Sequence, residues 1–211
     1  MTKNLPPLDG LPAAHAGMGA AAGAAENRRD ELVRVSARLF RERGFDGTTI
    51  RDIADAVGMR SGSPFYHFKT KQDILAAVME EGLRAGLPAA EAIAAADLPP
   101  RAKFRQLVRA HLEIVLGEGH DFIPVLLYDW RSLTPELRER VQILRDRYDR
   151  LWQDVVDELA TAGLLQAEGP VSRLLLMGAV NYTALWYKPG QGLNLDQIAD
   201  EAVAMFLRSG G

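Results

Sequence analysis

The chain has 211 residues, 47% of them hydrophobic, a formal net charge of −3 and no cysteine. That length and apolar content suffice for a buried core, while the missing cysteines exclude a disulfide framework and thiolate chemistry and suit a reducing, cytoplasmic setting. No apolar run reaches the roughly 18 residues that span a bilayer, because charges or prolines interrupt each candidate, so no membrane partner is expected.

The first 25 residues are rich in Ala, Gly and Pro and lack the apolar run of a signal peptide, so 1–25 reads as a disordered tail. Beyond it the charge divides. Residues 26–71 hold ten Arg/Lys against seven Asp/Glu, a balance of +3, and residues 72–211 hold fourteen against twenty, a balance of −6. This is the distribution of a small nucleic-acid-binding head on an acidic body.

From Arg28 to Arg43, Leu32, Val35, Leu39 and Phe40 recur at helical spacing, and Gly44 follows where a left-handed C-terminal cap is wanted, with Phe45 covering the end. Thr49-x-x-Asp52 is a capping box that opens a second helix with Ile50, Ile53, Ala54 and Val57 on its buried side, and Gly58 ends it. A short segment from Ser61 to Phe68 follows, with Pro64 in its first turn, where the missing N–H costs nothing. Thr70-x-x-Asp73 is a second capping box, opening a helix that carries Ile74, Leu75, Val78 and Leu83 over about 71–86.

The chain is expected to loosen through the Ala-rich stretch 89–97. Pro99 and Pro100 suit the first turn of a helix with Phe104, Leu107, Val108, His111 and Val115 on its apolar face. HDFIPVLLYDWRSL reads as a shorter helix bent at Pro124. Thr134-Pro135-Glu136 begins the longest pattern, which runs through Tyr148 and Leu159 to Gly163 as a central spine. PVSRLLLMGAVNYTALWY is apolar almost all round, and a last helix spans about Leu195 to Leu207. No β pattern, repeat or heptad array is present, so the class is all-α: a three-helix head at 26–71 and a helical-bundle body at 72–211.

The head has the proportions of a helix-turn-helix, whose last segment enters the major groove while the preceding helix's N-terminus meets a phosphate. ARLFRERGFDGTTIRDIADAVGMRSGSPFYHFKTKQDIL resembles the DNA-binding region of TetR-type transcriptional regulators from about Arg28 to Val78. The resemblance implies a two-fold homodimer with a DNA-binding head and a body that binds a small effector and the second subunit; most such proteins repress. Carried over by position, it implies DNA contacts from Thr49, Ser61, Ser63, Tyr66, His67 and Lys71. Arg60 stands where a Ser or Thr cap is frequent and is free to reach the backbone. GAVNYTALWYKPGQGLNLDQIADEAVAMFL is similar to the last two helices of a branch that includes acyl-CoA-responsive repressors of lipid and steroid breakdown, although Pro189-Gly190-Gln191-Gly192 replaces the Pro-Gly-Gly common there. An acyl-CoA thioester or another hydrophobic small molecule is therefore the implied effector.

Candidate cavity residues are His111, Phe122, Tyr128, Tyr148, Trp152, Tyr182 and Trp186, since Tyr and Trp combine apolar bulk with a polar tip; core packing explains each equally well. Leu174, Gly178, Asn181 and Leu185 share a stripe that, with Ala202 and Phe206, suits a four-helix contact between two subunits. His111 and His120, nine residues apart, do not share a helix face, so neither metal nor cofactor is expected. The alternative is an all-α small-molecule-binding or hydrolytic protein whose head contacts other proteins. With no cysteine and no serine elbow, the enzyme reading lacks a nucleophile.

Overall fold

The computed structural model describes residues 16–59, 64–117, 121–167, 169 and 171–208, with the backbone alone for 16–26, Pro64 and Phe65. They form nine α-helices and one 3-10 turn: α1 Ala16–Arg43, α2 Ile50–Ala56, α3 Pro64–His67, α4 Lys71–Ala95, α5 Pro100–Leu116, α6 Phe122–Tyr128, the turn Trp130–Ser132, α7 Pro135–Thr161, α8 Ser172–Trp186 and α9 Leu195–Phe206. Extended pairing among the described residues is limited to a bridge between Leu165 and Leu207.

The head folds from its own apolar residues. Leu32, Phe40, Phe45, Ile53 and Phe68 are buried together, and the Phe40 and Phe45 rings lie 5.5 Å apart where the chain turns at Gly44. Gly44 and Gly58 have φ of +74° and +66°, the left-handed conformation in which a side chain is strained, and so end α1 and α2. Both capping boxes are closed, at Thr49/Asp52 and at Thr70/Asp73. A third, Asn194/Gln197, starts α9.

In the body, α4 packs on α5, α6 and α7 around a core that includes Leu75, Met79, Leu107, Leu112 and Trp152. Two glycines set how closely α4 approaches its neighbours. A Cβ on Gly82 would lie 2.7 Å from Phe122 Cβ, and one on Gly86 would lie 2.7 Å from Ile114 Cδ1 and 3.1 Å from Tyr148 Cε2. Helix α9 is tied to α5 by Arg105 to Asp200 at 2.6 Å and to Asp196 at 3.2 Å, with Arg109 also on Asp196 at 3.3 Å.

Three expectations are corrected. The helix expected from Arg28 starts at Ala16, so residues 16–25 are helical rather than part of a tail; alanine is the strongest helix former and carries the helix backwards. The stretch 89–95 continues α4 through Pro88 instead of loosening, with alanine propensity and the burial of Leu87 and Ala90 outweighing one lost hydrogen bond. Pro124 lies in the first turn of α6, where its missing N–H has no helical partner, so it does not bend the helix. Of the segment expected from Ser61 to Phe68, the described part holds α3 at Pro64–His67, and Ser61 itself lies outside the described residues.

Candidate functional site

Capping and packing decide what the head can present. Thr49 is exposed, but its hydroxyl accepts from the Asp52 N–H at 3.1 Å and donates to Asp52 Oδ2 at 2.5 Å. These bonds from Thr49 hold the Asp52 carboxyl below the usual carboxylate range. Lys71, expected at a phosphate, turns inward. Its ammonium donates to the carbonyls of Phe45 and Thr48, each at 2.8 Å, and lies 4.0 Å from the centre of the Phe45 ring. Two carbonyls of the α1–α2 turn, one of which also accepts from the Thr48 N–H, and an aromatic face compete well for a cation at the start of α4. Tyr66 is 84% exposed, with its ring edge-on to that of half-buried His67 at 5.0 Å. Arg60, Ser61 and Ser63 lie outside the described residues.

In the body a cavity of about 420 Å³ opens between α4, α5, α6, α7 and α8. Leu83, Ile123, Leu126 and Met177 supply apolar wall, while Arg131, Arg145 and Arg173 bring three cations. Arg173 pairs with Asp149 at 3.4 Å, and the Arg145 guanidinium lies over the Trp130 ring at 5.3 Å. Of the aromatic and histidine residues expected here, His111, Tyr128 and Tyr148 line the cavity; Phe122, Trp152, Tyr182 and Trp186 do not. Phe122 packs on Gly82, and Trp152 is fully buried with its ring edge-on to His111 at 5.5 Å. Tyr182 and Trp186 are exposed on α8, where no described element covers them.

His111 is the polar centre of the cavity wall. It is 2% exposed, its Nδ1 lies 2.9 Å from the Tyr148 hydroxyl and its Nε2 lies 2.9 Å from Asn181 Oδ1. Burial pulls its pKa down to about 4, against the smaller upward pull of the bond to Asn181, and burial pushes the Tyr148 hydroxyl up to about 12. Both are neutral at pH 7. The Asn181 oxygen can only accept, so Nε2 carries the hydrogen and Nδ1 accepts from Tyr148. Asn181, Leu174 and Gly178, expected only at a subunit contact, thus line the cavity as well. The three arginines and Asn181 were not foreseen here. Arg145 precedes Tyr148 by three residues, one helical turn, which was the available signal.

Residues 32–78 match the model of bacterial regulatory proteins of the tetR family, and residues 97–209 match the tetracyclin repressor-like C-terminal domain. The chain belongs to the TetR family. It is a DNA-binding transcriptional regulator of that family. Among its relatives, the transcriptional repressor KstR2 of Mycolicibacterium smegmatis is 28% identical over 186 residues, covering 86% of this chain and 89% of that protein. The crystal structure of superantigen PfiT is 38% identical, with a TM-score of 0.72 over 88% of this chain and 98% of that one. AibR, in complex with isovaleryl coenzyme A and operator DNA, shares the fold at a TM-score of 0.77 and 24% identity, over 84% and 97% of the two chains.

The outer face of α8 in this TetR-family body is apolar. On α8, Leu174, Leu175, Tyr182, Leu185 and Trp186 are between 46% and 65% exposed. Of the expected contact stripe, Leu174, Gly178 and Leu185 are exposed, while Asn181, Ala202 and Phe206 are half-buried. No described helix is long and apolar enough to cross a membrane.

Proposed function

We propose that the chain is a homodimeric, cytoplasmic repressor released from operator DNA by an acyl-CoA thioester or a similar hydrophobic anion, and that it is not an enzyme. The observation that carries this reading is the double role of residues 121–132. Ile123, Leu126, Tyr128, Trp130 and Arg131 face the cavity, and the same segment is fastened to the head at two points and to the first turn of α4 at a third. Asp121 pairs with Arg41 of α1 at 2.6 Å, Asp129 Oδ1 accepts from the Phe45 N–H at 3.4 Å, and the Ser132 carbonyl accepts from Gln72 of α4 at 3.0 Å. A ligand that favours one position of this segment therefore favours one position of the head. Helix α4, which runs from the head into the cavity wall at Leu83, is the second lever.

Ligand chemistry follows from the cavity lining. Apolar wall accepts a hydrocarbon chain, and Arg131 and Arg145 have no carboxylate partner among the described residues, which leaves them for phosphate or carboxylate oxygens. The relative AibR is described with isovaleryl coenzyme A and operator DNA. Against hydrolysis, both His111 nitrogens are engaged, and the one hydroxyl they meet, that of Tyr148, is buried with its pKa pushed up to about 12, which leaves it a poor nucleophile. The exposed α8 face, continued by Ala202 and Phe206 on α9, supports a two-fold contact that sets two heads about one DNA turn apart, roughly 34–36 Å. The test is binding of the full chain to the DNA upstream of its own gene, measured against salt and against a panel of acyl-CoA thioesters. Binding should weaken steeply with salt and be relieved by at least one thioester. Salt-insensitive binding, or none, refutes the reading as a whole; operator binding that no thioester relieves refutes the effector.

A further inference from the structure

The polar chain on the cavity wall ends at a group that it leaves unused. Asn181 has one accepting oxygen and one donating NH2 group, and the oxygen is held by His111 Nε2–H at 2.9 Å. Its NH2 has no acceptor among the described residues, in a wall shared with Leu83, Ile123 and Met177. We infer that Asn181 reads a carbonyl-type hydrogen-bond acceptor on the effector, its oxygen held by His111 so that its NH2 is left free. This rests on the reading of the cavity as the effector site.

Orientation makes the site one-sided. Turning the Asn181 amide over would set NH2 against Nε2–H, donor against donor. Relieving that clash needs the other His111 tautomer, whose Nδ1–H would then meet the Tyr148 hydroxyl and force it to give up its own donation. Protonation of the imidazole would not relieve the clash, because Nε2 keeps its hydrogen, and burial disfavours the charged form in any case. Asn181 therefore offers donors to the cavity, and an apolar ligand lacking an acceptor would strip water from them without replacing it. A thioester, ester or ketone oxygen meets the requirement; a thioether of equal length does not.

The test uses the full chain and two matched pairs of probes: octanoyl-CoA with S-octyl-CoA, and S-methyl octanethioate with methyl octyl sulfide. Each pair differs only in the carbonyl. Titration calorimetry should give the wild type a preference of roughly tenfold or more for each thioester over its thioether. Asn181→Leu should bind the two members of a pair alike. His111→Phe keeps Asn181 but frees its amide to turn, and should narrow the preference while Asn181 remains. Sedimentation and thermal melting of each variant establish that it is folded and in the same assembly as the wild type. If neither CoA compound binds while the CoA-free pair shows the preference, the acyl-CoA reading falls and the role of Asn181 stands. Equal binding within both pairs in the wild type, a preference that survives in Asn181→Leu, or binding of none of the four probes overturns it.

Discussion

The head and the α8 face are built on opposite plans. In the head, apolar residues turn inward and even charged and hydroxyl groups are engaged locally: Lys71 on two carbonyls, Thr49 on Asp52, with Tyr66 left standing clear. On α8 only Leu176, Val180 and Thr183 are buried, and large apolar side chains remain outside. A surface of the first kind suits a hydrated, polar partner such as DNA, where a few donors decide register. A surface of the second kind is unstable in water unless another apolar surface covers it. The contrast fits the partners proposed above: duplex DNA for the head and a second copy for α8.

The largest expected effect breaks the second half of that contrast. Leu174→Glu with Leu185→Glu places like charges across a two-fold contact, and both sites are more than half exposed, so the protomer itself should fold normally. Sedimentation should show a monomer. Operator affinity should fall roughly 100-fold or more, because two linked heads lose their mutual effective concentration. A dimer that persists with unchanged affinity would move the subunit contact elsewhere.

Next in size is a pH effect from the cavity wall between the two faces. His111 titrates near 6.5 when unfolded and at about 4 when folded, so between these values the unfolded chain binds the extra proton. Stability is therefore complete above pH 6.5 and is lost as pH falls towards 4, by about 3 kcal/mol in all. Urea melts of the wild type at pH 7, 6, 5 and 4 should show this slope, and His111→Phe should flatten that part of it.

These two regions also differ in how well the sequence described them. Capping boxes, glycine turns and short-range stripes specified the head, since each depends on residues three or four apart. The apolar excess of α8 was equally visible, as was its need for a partner. The cavity was not. His111, Tyr148 and Asn181 come from three helices, 37 and 70 residues apart, and no local pattern records that their polar atoms meet. Trp152 illustrates the limit from the other side: its helical spacing suits core and cavity alike, and only packing decides that it is core. Continuation of α4 past Pro88 was missed because the proline, read locally, points to a break, whereas alanine propensity and burial of Leu87 and Ala90 hold the helix on.

A smaller effect sharpens the DNA side. Tyr66→Ala removes a side chain that the head does not bury, so its melting temperature should stay within about 1 °C of the wild type. Operator affinity should fall roughly 30-fold, the scale of a lost base or phosphate contact. Loss of stability instead would make Tyr66 part of the head's core.

Lys71 offers the finest distinction. A lysine that only neutralised a phosphate would leave the free protein unchanged when replaced, and would lower the salt dependence of DNA binding by about one counterion. The structure places its ammonium between the Phe45 and Thr48 carbonyls, where it clamps the α1–α2 turn to the start of α4. Lys71→Met keeps the apolar stem and removes the donor. It should cost about 1 kcal/mol of stability, a charge-assisted bond discounted for partial exposure, and weaken operator binding while leaving the salt slope intact. The N–H of Phe45, held by Asp129 on the other side of the same turn, should also exchange faster. An unchanged melting curve with a shallower salt slope would return Lys71 to the phosphate backbone and leave the turn to be held by Asp129 and the Thr48 hydroxyl, which donates to the Leu39 and Gly44 carbonyls.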